Sequence, residues 1–100
     1  SNFTSSDALF VFSVGGGSIQ PSISSQIANA IDFVCSVSGK VLGIVGRDGG
    51  YTAKKGNAIV VPTVDEDFIT PHTEGMQAYL WHFLVSHPDL TPNTPKWEGV

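Results

Sequence analysis

The stretch Ala8-Leu9-Phe10-Val11-Phe12-Ser13-Val14-Gly15-Gly16-Gly17-Ser18 decides how the rest of the chain is read. Five apolar residues in a row, without polar alternation, describe a strand buried on both faces, as in a parallel sheet covered by helices. The three glycines that follow let the backbone turn sharply and expose its N–H groups. Beyond them Ile23, Ile27, Ala30, Ile31 and Val34 recur at spacings of three and four, which makes one apolar stripe of a helix. Pro21 suits its first turn and Gly39 its far end.

The same alternation continues downstream. Val41-Leu42-Gly43-Ile44-Val45 is a second apolar run closed by Gly46, and Ala58-Ile59-Val60-Val61 is a third, stopped by Pro62. A short helix is expected over Tyr51 to Lys55, with Gly56 as its stop. The last helix takes Thr70 as cap, Pro71 at its first position and Glu74 in its first turn. Its apolar stripe is Met76, Tyr79, Leu80, Phe83 and Leu84, and Pro88 ends it. Asp65-Glu66-Asp67 reads as a solvated loop. Right-handed crossovers would set the three strands side by side and parallel. The fold class is therefore α/β, a three-layer open parallel sheet with about three strands and flanking helices. One domain over residues 1–89 is followed by a polar, Pro-rich tail over 90–100, with Pro92 and Pro95, that either docks through Trp97 or stays loose. Three strands are few for a doubly wound sheet, which points to part of a larger domain or to completion by another copy.

Composition excludes several classes. The 100 residues carry five Lys plus Arg against nine Asp plus Glu, a net charge of −4. Such a chain, with no basic run, is unsuited to neutralising nucleic-acid phosphates. No apolar stretch approaches the ~20 residues of a membrane span. The lone Cys35 excludes an intrachain disulfide and a Cys-based zinc finger. Among apolar neighbours it reads as a small buried hydrophobe. The first residues show no basic segment followed by an apolar one, and the expected location is cytoplasmic.

Three places carry candidate chemistry. Ser13 to Ser18, ahead of a helix, forms either an anion cradle built from amides and hydroxyls or a plain Gly-rich turn. It is not a P-loop, since no Lys follows. Nor is it a dinucleotide fingerprint, since Gln20 stands where the third glycine belongs. Gly46-Arg47-Asp48-Gly49-Gly50 follows the second strand, at the sheet edge where ligands bind in open α/β folds. There Arg47 is positioned to meet an anion, and Asp48 to cap the short helix or bind a hydroxyl. The alternative is an Arg–Asp surface pair. On the last helix Glu74 and His82 are eight residues apart, a rotation of about 80° and a rise of about 12 Å. They are not an acid/base pair with each other. His82, between Trp81 and Phe83, suits neutral-pH proton transfer or a structural role. His72 and His87 sit at the helix ends, and His87 suits the dipole there.

Taken in order, the Ser/Gly loop, Gly46 to Gly50 and the Glu74/His82 helix resemble the sugar isomerase (SIS) domain family, in particular the phosphoheptose (sedoheptulose 7-phosphate) isomerases. The likeness runs from about Ser6 to His87 and covers only the C-terminal portion of that domain. It implies a flavodoxin-like SIS fold and aldose–ketose isomerisation of a phosphorylated sugar. Dimers or tetramers are expected, no cofactor is required, and neither nucleic acid nor membrane is a partner. The family's phosphate loop reads Ser-Thr-Ser-Gly-Asn-Ser; Ser13 and Ser18 match it, whereas Val14, Gly15 and Gly17 depart from it. The likeness implies that Ser13, Ser18 and the amides of Gly15, Gly16 and Gly17 hold the phosphate. It makes His82 the acid/base and Glu74 a substrate contact. Some members bind zinc at this site, so Glu74 and His82 are also candidate metal ligands. The family's Asn-Gly-Gly-Ser loop and catalytic Glu have no counterpart here. Isomerase within an incomplete domain is therefore one reading. A noncatalytic module that binds a sugar phosphate or assembles other proteins is the second, and an inactive remnant the third.

Overall fold

A computed structural model of the chain describes residues 2–20 and 23–90. Strand β1 (Ala8–Ser13) leads to helix α1 (Ser25–Ser36), β2 (Lys40–Val45), a short α2 (Gly50–Lys55) and β3 (Asn57–Val60). A 3-10 turn (Glu66–Phe68) then runs directly into the long α3 (Ile69–Ser86). The strands form one parallel sheet in the order β1-β2-β3, with Val11 opposite Gly43 and Gly43 opposite Ala58. The architecture is α/β, with the strands and helices in the order the apolar runs predict.

Strand alternation sorts the helices into two layers. Val11 and Val41 point to one face, where they cluster with Ile31 and Val34 of α1, and Leu9, Ile27 and Tyr51 pack around them. Gly43 belongs to the same face, and a Cβ there would stand 2.7 Å from the Thr52 methyl of α2. The backbone of β2 at Gly43 thus lies directly against the Thr52 side chain of α2. Ile44 and Gly46 point the other way. A Cβ on Gly46 would stand 2.5 Å from Thr73 Oγ1, so α3 covers this second face. Ile31, Ile44 and Val45 are fully buried, and each such side chain contributes about 1.5–3 kcal/mol of transfer free energy.

Coverage is uneven, and this corrects several expectations. Only β2 is buried on both faces. Phe10 and Phe12 of β1 lie on the α3 face, stack on each other at 4.9 Å and remain 41% and 50% exposed, because α3 sits over β2. Cys35 is exposed, not buried: the inward face of α1 is Ala28, Ile31 and Val34, which turns position 35 outward. Ile23 lies outside α1, exposed, and pairs with Ser18 in an isolated antiparallel bridge. Pro21 falls outside the described residues.

Helix α3 is rotated from the expected stripe. Its buried residues are Thr73 and Gln77, whereas Tyr79 and Phe83 are exposed and pack on each other at 5.1 Å. A small residue is required where Gly46 approaches, and a buried amide is tolerated where it finds carbonyls. The helix starts at Ile69 because the 3-10 turn, capped by the Asp65 carboxylate on the Asp67 amide, feeds it without a break. Thr70 and Pro71 therefore lie inside its first turn. His87 caps the far end by its backbone; its ring accepts from the Asp89 amide instead of facing the helix carbonyls. The tail expected from Thr91 onward, Trp97 included, lies outside the described residues. Among the described residues no helix is long and apolar enough to cross a membrane.

This burial pattern predicts unequal truncation costs. Ile31→Ala is expected to lower stability by about 2–5 kcal/mol, whereas Phe12→Ala, on the bare part of the sheet, costs well under half as much. Urea unfolding of the two variants measures the difference.

Candidate functional site

The loops after β1 and β2 meet backbone to backbone at the carboxyl edge of the sheet. Thr52 N and Thr52 Oγ1 both donate to the Gly16 carbonyl, at 3.0 and 2.8 Å, and Tyr51 N donates to the Gly17 carbonyl at 2.8 Å. At the glycines themselves the seam has no room for a side chain. A Cβ on Gly16, which has φ +77°, would fall 2.1 Å from the Gly49 carbonyl oxygen, and one on Gly50 would fall 2.1 Å from the Gly15 carbonyl oxygen. The sequence run Gly15-Gly16-Gly17 therefore serves a close approach as well as a sharp turn.

The seam consumes carbonyls and leaves part of the amide row available. Gly16 N donates to Ser13 Oγ at 3.0 Å and Ser18 N donates to the Ile23 carbonyl at 2.8 Å, so neither faces a ligand. The amides of Gly15 and Gly17 have no hydrogen-bond partner among the described residues. The expected cradle of Ser13, Gly15, Gly16, Gly17 and Ser18 thus divides. Ser13 Oγ accepts within the loop and Ser13 does not line the cleft, and the Gly16 and Ser18 amides are occupied, which leaves Gly15, Gly17 and the Ser18 hydroxyl.

A cleft of about 1060 Å³ opens beside these groups. It is bounded by Gly15, Gly17 and Ser18 on the first loop, by Arg47 and Asp48 on the second, and by Tyr51 and Lys54 of α2. Thr70 closes it from α3. Asp48 accepts from Gly50 N at 2.9 Å in a tight turn; the N-cap of α2 is Gly49, so Asp48 is not the cap expected, and Arg47 forms no ion pair among the described residues. Arg47 holds φ +49°, a left-handed conformation that a long side chain adopts at a cost of about 1–2 kcal/mol. With Lys54, which sequence inspection does not single out, it brings two cations to a cleft in a chain of net charge −4.

Two expected residues stand elsewhere. Glu74 and His82 are exposed on α3 and neither lines the cleft; the His82 ring stacks on Trp81 at 4.2 Å. Thr73 and Gln77 face inward, and Glu74 and His82 project from other sides of the helix. About 12 Å of helix rise separates the two, so they do not share a metal ion. Among the described residues no three His, Cys, Asp or Glu side chains gather where they could hold one. His72 is half-buried and also lies outside the cleft lining.

Instead α3 sends Gln77 to the site's foundation. Its Nε2 donates to the Ile44 carbonyl at 2.6 Å and to the Ser13 carbonyl at 3.2 Å, joining the ends of β1 and β2 directly below the two loops. Only its place on the buried side of the helix, four residues from Thr73, marks it in the sequence. On the opposite wall Tyr51 donates to the Asp32 carboxylate of α1. That bond, reinforced by burial and by the negative charge beside it, raises the Tyr51 hydroxyl above its ordinary 10.0.

No protein-family model matches this chain, and no curated protein or solved structure matches it either.

Two outcomes test this geometry. Gln77→Leu removes the Gln77 donor from both carbonyls and is expected to cost about 1–3 kcal/mol in urea unfolding. In a Tyr79→Phe background, ultraviolet titration is expected to show Tyr51 ionising above 10.0, and Asp32→Ala to bring it down. The sign follows from the bond. Its contribution to stability is complete below the ordinary tyrosine value and is lost as pH rises through the raised one.

Proposed function

We propose that the cleft binds a phosphorylated sugar and that the chain is SIS-like, related to the C-terminal part of phosphoheptose isomerase domains. The observation that carries this reading is the convergence of the Gly15 and Gly17 amides with Arg47 and Lys54 on one cleft at the carboxyl edge of a parallel sheet. Backbone amides and flanking cations are the donors a phosphate dianion requires. The Ser18 and Thr70 hydroxyls lie close by for the sugar. The motif order Ser13 to Ser18, then Gly46 to Gly50, supports the same relationship.

Within this proposal the noncatalytic binding module is favoured over the isomerase. Moving a proton between adjacent carbons of a bound sugar needs a base within hydrogen-bond reach of them. His82, the residue the likeness nominates, stands outside the cleft. Zinc held by Glu74 and His82 has no support in their separation.

The test separates binding from chemistry. Sedoheptulose 7-phosphate is expected to bind saturably in calorimetry, with inorganic phosphate competing. Arg47→Gly is expected to weaken binding about tenfold, since a hydrogen bond to a charged group is worth about 1.5–3 kcal/mol. The same change removes left-handed strain, so thermal stability should hold or rise, and lost affinity cannot then be assigned to unfolding. Undiminished affinity in Arg47→Gly would overturn the anion site. Deuterium exchange at the carbon next to the carbonyl, abolished by His82→Ala, would restore the isomerase.

A further inference from the structure

We infer that Thr52 is a positioning residue of the anion site: its hydroxyl, added to its amide, sets which end of the Gly16–Gly17 peptide faces the cleft. This rests on the phosphate site proposed above and deepens it, by assigning what keeps that site ready for an anion. Thr52 is fully buried and does not line the cleft, so it acts through the loop and not on a ligand. Its Oγ1 donates to the Gly16 carbonyl at 2.8 Å and its N donates to the same oxygen at 3.0 Å. The two branches of the side chain have separate tasks. The methyl packs on β2, where a Cβ on Gly43 would stand 2.7 Å from it, and the hydroxyl holds the loop.

A trans peptide is planar, and its C=O and N–H point in opposite directions. Holding the Gly16 oxygen toward α2 therefore turns the Gly17 N–H away from α2, on a residue that lines the cleft. The neighbouring peptides are fixed by other means. The Gly15–Gly16 unit is held through its N–H on Ser13 Oγ. The Gly17–Ser18 unit is held at both ends, its oxygen by Tyr51 N and its N–H by the Ile23 carbonyl. Among the described residues, Gly16–Gly17 is held at its oxygen alone, by Thr52. It is also the peptide freest to turn over. Gly16 has φ +77° and Gly17 φ +82°, and glycine accepts either sign of φ, so a flip meets no Cβ of its own residues. The charge around an empty cleft favours that flip: beside Arg47 and Lys54 a carbonyl oxygen is better placed than an N–H. An anion requires the opposite orientation. The second donor from Thr52 weighs against the flip, and a site that is competent only part of the time binds with an affinity reduced by that fraction.

Two substitutions separate the two branches. Thr52→Val keeps the methyl against β2 and removes the hydroxyl donor, whereas Thr52→Ser keeps the donor and removes the methyl. Both are expected to lower thermal stability. Inorganic phosphate is titrated into the protein and both variants, followed by nitrogen-15 NMR, which reads the affinity and the amides that respond. Thr52→Val is expected to bind about fivefold more weakly, the scale of one hydrogen bond, with the Gly17 shift reduced relative to that of Gly15. Thr52→Ser is expected to bind as the unsubstituted protein does. Undiminished affinity and a full Gly17 response in Thr52→Val would overturn the inference while the phosphate site stands. Equal losses in the two variants would overturn it too, since affinity would then follow packing and not the hydroxyl. A measurement on the unsubstituted protein covers the case in which Thr52→Val does not fold. The coupling across the hydrogen bond from Thr52 N to the Gly16 carbonyl carbon is expected with and without phosphate, and its loss on phosphate binding would overturn the inference. Absence of any saturable response in the unsubstituted protein would overturn the anion site and this inference with it.

Discussion

The carbonyls of Gly16 and Gly17 accept hydrogen bonds from the amides of Thr52 and Tyr51 and from the Thr52 hydroxyl in the first turn of α2, and this contact fixes the carboxyl edge of the sheet. It is possible only because neither side of the seam carries a Cβ, at Gly16 or at Gly50. Every property of the cleft follows from it. The carbonyls turn inward, the Gly15 and Gly17 amides remain without a partner among the described residues, and the second loop is held close enough for Arg47 to share the same opening. The left-handed backbone of Arg47 fits this account, since strain of that kind persists where surrounding contacts over-determine a loop.

Beneath the seam, Gln77 ties the β1 and β2 ends together from the opposite face. The two loops are thus fixed from both layers, by α2 through the seam and by α3 through one buried amide. A half-satisfied amide there would be costly; with two acceptors Gln77 is a rigid brace. The remainder of the α3 face is much less constrained. Phe10, Phe12, Tyr79 and Phe83 leave aromatic surface open around a sheet whose other face is well packed.

The order of elements was legible because each strand is an unbroken apolar run closed by glycine or proline, a signal local to five or six residues. Val41 to Val45, Gly46 and the short helix after Gly50 all fall where pattern places them. The helix faces were harder to read. In α3 the apolar residues surround the helix, so hydrophobic spacing does not select a side; the choice is made by Gly46 meeting Thr73 and by the carbonyls that Gln77 reaches. Both are tertiary contacts, between residues 27 and 33 positions apart. The same reason moves Glu74 and His82 away from the cleft. Of the site itself, the glycine loop and Arg47-Asp48 could be read from motif alone. Lys54 could not, because its relevance comes from the folding of one loop beside another.

The proposal at the centre of this account is that an anion binds at Gly15 and Gly17, whose amides have no partner among the described residues, and not at Gly16 or Ser18. Nitrogen-15 NMR of the protein during a titration with inorganic phosphate tests it directly. The account predicts saturable shifts of the Gly15 and Gly17 amide signals, with Gly16 and Ser18 nearly still. Unmoved Gly15 and Gly17 signals, or saturable shifts centred on His82, would contradict it.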